Sequence, residues 1–364
     1  MSLSGVTVRF VKTRVVLNSP FQEIVERDIV DGVWREPAGD PDVRIGEGTW
    51  ALPGLVDAHS HLAAEELNYQ PGNLGDAIGR ARSALDAGVT LVLDKGWTDT
   101  TAVSVASALS PEERPDIDAA GRILAVEDGY YPGFTREIDP SEVALAATEE
   151  ADAGSGWVKL IGDWPRKGIG PVANFTEDQL ASAVEAAEAA GAKVAIHTMA
   201  REVPSAAVAA GIHSIEHGLF LTEADVGALG ARSGMWVPTV LRVDDTIAQL
   251  GVGSSGGRLL EEGLANIERL LPLAIEAGVF VLAGTDLIGS PADVAMEAIR
   301  LRSIGLSSRQ AVEAVTRSGF LATGRAADFE LNTQANAVLF TENPIDNIEV
   351  LRYPESVVRM GAVR

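Results

Sequence analysis

The chain has 364 residues, 46% of them hydrophobic, which is enough to bury a large core and too long for one small domain. Its net charge of −23 repels phosphate backbones and anionic lipid heads, so nucleic acid and membrane surfaces are excluded as expected partners; the charge does not identify a substrate, and the expected partner is a small-molecule substrate. The absence of cysteine excludes disulfides, thiolate nucleophiles and Cys-ligated zinc together.

The N-terminal residues carry no basic region followed by an apolar run, and no apolar run reaches the ~18 residues of a membrane span. A soluble, cytoplasmic protein is the expectation. The first fifty residues read as short β: residues 6–10 alternate, Arg14–Leu17 follows, and turns are signalled at Asn18-Ser19-Pro20 and Pro37–Asp40. The middle of the chain then alternates apolar strands with Ala-rich helices. The strands are read at Leu52–Asp57, Val89–Asp94, Arg122–Val126, Trp157–Ile161, Lys193–Ile196, Ile212–Glu216, Met235–Pro238 and Phe280–Ala283. Helices are read at Ala77–Ala87, Pro140–Ala153, Thr176–Ala190, Ser205–Ala210, Glu223–Arg232 and Arg258–Ala277, then at Pro291–Ile304 and Ser307–Leu321. Gly88, Gly191, Gly211 and Gly278 close four of them. The run Gly251–Gly257 reads as a mobile loop over the mouth of the fold. The last forty residues return to β, at Asn336–Phe340 and Ser356–Met360.

Recurrent helix–Gly–strand units mean parallel strands with helical crossovers. Eight strands fit an α/β (β/α)8 TIM barrel, with a small β-sandwich formed from both termini. The expected division is residues 1–53 plus 325–364 for the β domain and residues 54–324 for the catalytic barrel.

Placement of the five histidines is the main chemical signal. An apolar strand runs into His59-Ser60-His61, and residues i and i+2 on extended backbone project to one side, so both imidazoles reach one cation. Taken alone, that pair balances a metal site against a structural role. Val194-Ala195-Ile196-His197, Ser214-Ile215-Glu216-His217 and Val281–Asp286 repeat the theme, each placing an ionisable side chain after a strand, where barrel enzymes collect catalytic groups. Buried imidazoles and carboxylates are costly without partners, and a divalent cation satisfies them all. Lys159, on the fourth strand, leaves two outcomes open: a solvated structural lysine facing the helices, or an anionic carbamate formed with CO2. His213, four residues before His217, falls at the far end of its strand and is expected to be structural.

The runs LPGLVDAHSHL, WVKL, VAIHTM, SIEHGLF and AGTD resemble the amidohydrolase superfamily, in particular the Xaa-Pro dipeptidase and imidazolonepropionase-like branch. The C-terminal NPIDNIEVLRYPESVVRMGAVR is similar to that superfamily's tail, so the resemblance spans nearly the whole chain. It implies two divalent metal ions, zinc being the expected element: His59 and His61 with Asp286 on one, His197 and His217 on the other, and carboxylated Lys159 bridging them with a hydroxide. Met199 stands where dipeptidase relatives often carry Tyr, and Ala200 where the deaminase branch often carries Glu. The metal core therefore transfers and the substrate does not.

The function implied is hydrolysis of an amide, carbamate or related C–N bond, or of a lactone or ester, with Asp286 as general acid/base. The alternatives are a mononuclear deaminase or cyclic amide hydrolase that leaves Lys159 uninvolved, and an inactive barrel-derived binding protein. Residues expected to line the pocket, because they follow strands, are Trp97, Tyr130, Trp164, Met199, Arg201, Phe220 and Thr239. Assembly into a homo-oligomer fits the habit of the resembled family.

Overall fold

The computed structural model describes residues 8–9, 12–22, 24–64, 72–167, 169–287 and 289–364. Of the expected strand at residues 6–10, only β1 (Val8–Arg9) and no neighbouring residue is described. It is followed by β2 (Thr13–Leu17), β3 (Val25–Val30), β4 (Val33–Arg35), β5 (Val43–Ile45) and β6 (Trp50–Leu52). The barrel strands start with β7 (Leu55–Ser60) and β8 (Val89–Asp94). The third is in two pieces, β9 (Asp116–Ala119) and β10 (Leu124–Val126), with β11 (Arg136–Ile138) alongside. The fourth is β12 (Trp157–Ile161), which leads into a hairpin of β13 (Asp163–Arg166) and β14 (Gly170–Ala173). The ring continues with β15 (Lys193–Thr198), β16 (Ser214–His217), β17 (Met235–Val237) and β18 (Phe280–Val281), and the chain ends in β19 (Ala337–Phe340), β20 (Ser356–Arg359) and β21 (Ala362–Val363).

Neighbouring barrel strands pair in parallel throughout. Backbone hydrogen bonds from Ala58 N to Ala283 O and from Asp286 N to His59 O join the first strand to the eighth segment, and the Ala120–Trp157 bridge joins the third to the fourth. The result is a (β/α)8 barrel. Val56, Ala58, Leu91, Leu93, Ala195, Val237 and Leu282 fill its interior. Each large aliphatic side chain removed from water there stabilises the fold by roughly 1.5–3 kcal/mol.

The crossovers are α1 (Leu74–Asp86), α2 (Thr101–Ala108), α3 (Val143–Ala153), α4 (Glu177–Ala189), α5 (Val203–Ala209), α6 (Glu223–Ala231), α7 (Val240–Leu250), α8 (Ser255–Ala277), α9 (Val294–Ser303), α10 (Ser308–Ala314) and α11 (Arg317–Ala322). Local sequence sets their ends: Thr176 and Gln179 form a capping box on α4, and Gly278 closes α8 in the left-handed region at φ 86°. Gly54, at φ 144° between β6 and β7, has no room for a side chain, since a Cβ there would stand 1.8 Å from Thr90 Oγ1.

Strands β4-β3-β2-β5 form one small sheet and β1-β21-β20-β19-β6 the other. Val15, Leu17, Ile29 and Trp34 pack with Ala51, Phe329, Leu339 and Val358 in one core, so both ends of the chain build the sandwich. Arg359 on β20 is fully buried and seats this unit on the base of the barrel: Nε donates to the Pro111 and Arg114 carbonyls at 3.0 and 3.1 Å, and Nη2 to Asp116 Oδ1 at 2.6 Å.

Several elements depart from the sequence reading: α2 and the hairpin β13–β14 stand where none is expected, and the helix expected over Ser307–Leu321 is divided into α10 and α11. The third strand begins at Asp116, in a run of alternating acids that hides its β character. Those acids are held by basic partners, Asp116 by Arg359 and Asp118 by Arg325 at 2.8 Å. Helix α7 occupies residues 240–250, where the sequence signals no element, and α8 starts at Ser255, so the loop expected over Gly251–Gly257 shrinks to the turn between them. Two adjacent aspartates and a β-branched stretch obscure α7. Val240, Val243 and Ile247 bury one face of it, while Glu297 accepts from the Val240 and Leu241 amides at 2.6 and 3.0 Å. Among the described residues, no helix is long and apolar enough to cross a membrane.

Candidate metal centre

His59 projects from the end of β7 and His61 follows it by two residues. Their ring centroids are 5.3 Å apart. His197 comes from β15 and His217 from the last position of β16, with centroids 4.6 Å apart. Asp286 lies beyond the eighth strand. Backbone strain concentrates here: His217, Thr239, Asp286 and Leu287 all have φ between 42° and 68°, the left-handed region that costs non-glycine residues energy. Positive φ turns the His217 and Asp286 side chains away from the direction a regular strand would give them. Gly284 permits the close approach of the eighth segment to the first, since a Cβ there would meet His59 Cβ at 2.6 Å.

The hydrogen-bond partners fix the imidazole tautomers. His61 Nδ1 lies 2.7 Å from the Gly96 carbonyl, which only accepts, so Nδ1 carries the proton. His59 Nδ1 lies 2.6 Å from Glu216 Oε2 in a charge contact that is not aligned as a hydrogen bond, and the carboxylate favours the proton on Nδ1. His217 Nδ1 lies 2.6 Å from Thr239 Oγ1, whose own proton is directed to the Pro238 carbonyl at 2.8 Å, so Thr239 accepts. All three Nε2 atoms are therefore bare lone pairs. They stand 3.4 Å (His59), 3.5 Å (His61) and 3.8 Å (His217) from the Asp286 carboxylate, one lone pair against another. His59, His61 and Asp286 each offer a ligand atom within 4.8 Å of the others. This donor set fits a divalent cation, which turns that mutual repulsion into attraction.

Electrostatics agree. Burial lowers the His59 pKa to about 4 and that of His217 to about 3, and moves His197 well below its ordinary value, so the rings are neutral at pH 7. Burial alone would raise the Asp286 carboxyl, but the Arg242 guanidinium, with Nε 3.8 Å from Oδ2, helps to hold it well below the usual carboxylate range. Lys159 is buried on β12, and its Nζ has no hydrogen-bond partner among the described residues. Burial brings its pKa down to about 8. An amine there is orphaned unless something else engages it.

A cavity of about 200 Å³ opens onto these residues. Tyr130, Trp164 and Met199 line it, as do Tyr131, Phe134, Arg242, Thr246 and Gln249. The other expected pocket residues sit elsewhere. Trp97 is buried behind the site, packed on Phe134 at 4.4 Å and near His61 at 5.6 Å. Thr239 is fully buried as the partner of His217. Arg201 and Phe220 stack on each other at 4.5 Å and line a separate surface depression, because Arg201 pairs with Glu262 and points outward. Asp163 accepts from the Met199 amide at 2.9 Å and so anchors the segment after β15. His213 is at the opposite end of its strand, bonded to the Val194 amide and near Glu188.

Sequence reasoning missed four supporting side chains. Glu216 was visible as an acid inside an apolar strand, next to His217. Lys95 follows β8, is fully buried 3.5 Å from Glu216 and 3.9 Å above the Trp157 ring, and gave no signal beyond its place after a strand. Asp57 accepts from the Thr285 amide and hydroxyl at 3.0 and 2.7 Å and so ties the first strand to the eighth segment. Arg242 donates from Nε to the Asp286 carbonyl at 2.7 Å and was hidden with the unrecognised α7.

Known proteins share this architecture. An uncharacterised protein of Mycobacterium tuberculosis is 32% identical over 358 residues, which cover 95% of this chain and 93% of the relative. Ochratoxinase of Aspergillus niger is 24% identical over 359 residues, covering 85% and 74%, and its crystal structure superposes with a TM-score of 0.79 over 98% of this chain and 96% of its own. The crystal structure of a Xaa-Pro dipeptidase with methionine bound in its active site gives a TM-score of 0.80 at 21% identity, covering 97% of this chain and 99% of that one. The signature described as Amidohydrolase family matches residues 50–363, which takes in the whole barrel and the closing strands of the sandwich, and the chain belongs to that family of hydrolases.

Proposed function

We propose that this chain is a metal-dependent hydrolase of an amide or carbamate C–N bond, with His59, His61, His197, His217, carboxylated Lys159 and Asp286 holding two divalent cations, zinc the expected element. The observation that carries this reading is the convergence of three Nε2 atoms on one carboxylate, with His61 and His217 hydrogen-bonded from behind and His59 Nδ1 facing the Glu216 carboxylate at 2.6 Å. The relatives support the bond type, since two of them are named for cleaving a peptide and ochratoxin. Bound cations supply Lewis acidity and bring the pKa of water to roughly neutral.

The chain's own groups do the rest. Asp286 is positioned to take a proton from the nucleophilic water and return it to the leaving nitrogen. Arg242 fixes the Asp286 backbone through its carbonyl, and Asp57 holds the preceding Thr285, so the carboxylate is oriented from both sides. Lys159 has the properties carbamate formation requires: a buried amine, a lowered pKa and, among the described residues, no competing hydrogen-bond partner. Tyr130, Trp164 and Met199 narrow the approach and exclude bulk water.

The test is metal analysis of the purified chain together with hydrolysis of simple N-acyl amides before and after chelation. Two metal equivalents per chain, with activity lost on chelation and restored by added zinc, is the expected result. One equivalent with Lys159 unmodified favours the mononuclear alternative, to which the compact His59–His61–Asp286 trio alone is suited. Metal-independent turnover overturns the proposal.

A further inference from the structure

The walls of the cavity differ in chemistry around the ring. On the side of the third and fourth strands, the segment after β10 contributes Tyr130, Tyr131 and Phe134, and the hairpin β13–β14 contributes Trp164. Tyr130 and Tyr131 lie 4.5 and 4.6 Å from the Trp164 ring, and Tyr130 and Trp164 reach toward His197 at 5.9 and 6.2 Å. Tyr130 and Trp164 are only half-buried, so aromatic surface faces the open cavity. Strands seven and eight stand across the ring. After the seventh, α7 presents Arg242, Thr246 and Gln249 at helical spacing along one face, and after the eighth comes Asp286.

This asymmetry orients a substrate. Asp286 delivers a proton to the leaving nitrogen in the function proposed above, so the amine half belongs on the Asp286–Arg242 side. The acyl half then extends past His197 toward the rings. We propose that the substrates of this enzyme are amides or carbamates whose acyl half carries an aromatic ring, seated against Trp164 and Tyr130, and whose amine half is small and polar, meeting Arg242 and Gln249. The assignment rests on the C–N hydrolase reading and adds to it a substrate class and a direction of binding. The reaction balances with water alone: the C–N bond breaks, a C–O bond forms at the carbonyl carbon, and the proton goes to nitrogen. A ring against Trp164 gains aromatic attraction beyond its buried area, whereas an alkyl chain of similar bulk gains area only and gives up rotamer freedom.

The experiment compares N-benzoylglycine with N-hexanoylglycine on the metal-loaded full chain, in turnover, and compares benzoate with hexanoate in binding by calorimetry. Both carboxylates address the cations alike, so the difference isolates the ring. Wild type is expected to favour the aromatic member by about tenfold or more in kcat/KM and in affinity. Trp164→Ala and, separately, Tyr130→Leu bring the ratio toward one, and Trp164→Phe restores most of it. Reading a ratio in two independent variants guards against one of them folding poorly. Equal turnover and equal binding of the two members in wild type, or a preference unmoved in both variants, overturns the aromatic assignment while leaving the hydrolase reading in place. Preferential benzoate binding that Trp164→Ala abolishes, with neither amide cleaved, keeps the ring site and sinks the hydrolase reading instead.

Discussion

Thr239 Oγ1 accepts from His217 Nδ1 at 2.6 Å while donating its single proton to Pro238 O at 2.8 Å. The hydroxyl has no second proton to give, so the imidazole must be the donor. Thr239→Val removes that acceptor and leaves a buried N–H unpaired. Metal affinity is expected to fall by about 10- to 100-fold, measured by competition with a chromogenic chelator, and Thr239→Ser should recover most of the loss. Unchanged affinity in the valine variant would show that the hydroxyl does not orient His217.

Asp286→Asn keeps the size of the side chain and an oxygen for the cation, and removes the basic site. Bound metal should stay near the wild-type level while kcat falls by roughly 10²–10⁴-fold, the range ascribed to a positioned acid–base group. Turnover at the wild-type rate would remove Asp286 from proton transfer.

Lys159 should carry the added mass of one CO2 in native mass spectrometry near neutral pH, lost on acidification. The reaction needs the neutral amine, and a pKa near 8 supplies it in quantity at pH 7–8. Lys159→Met should bind fewer metal equivalents than wild type. A native mass with no adduct, together with full metal loading, would contradict the bridge.

Glu297 titrates in a testable window. Burial raises its pKa to about 7 from an ordinary 4.5, against the pull of the two amides at the start of α7. The folded chain therefore holds a proton that the unfolded chain releases between those values. This contribution to stability is fully present below pH 4.5, declines as pH rises to about 7, and is flat above that. Glu297→Gln adds a constant offset for the lost acceptor and removes the slope. Stability of the variant relative to wild type should thus improve with pH across that window, by up to about 1.4 kcal/mol per unit in urea titrations. Parallel stability curves would place the Glu297 pKa outside it.

Much of this molecule was legible in the sequence because strand period and chemistry coincide there. Strand-like runs leading to His59, His197 and His217 mark the strands and the end of the barrel at which those side chains gather, though the turn of His217 at φ 61° is not readable from them. Glycine stops such as Gly278 give the helix ends, and the paired β-rich termini give the sandwich. The unread parts share one cause, side chains whose partners are distant in sequence. Asp116 looks like a loop residue until Arg359 is beside it, 243 residues later. Val240 and Leu241 begin a helix with Glu297 as the acceptor for their amides, 57 and 56 residues away. Arg201 and Phe220 follow strands as pocket residues do, but the choice between facing inward and stacking outside is made by Glu262 and by each other.

Arg359 has a consequence for how the molecule comes apart. Its guanidinium is satisfied by carbonyls and a carboxylate at the foot of the third barrel strand, so peeling the sandwich away strands those acceptors and the cation together. Partial opening at this seam is therefore penalised, and a single melting transition is the expected outcome in calorimetry. Heat should find no stage at which the catalytic ring survives bare.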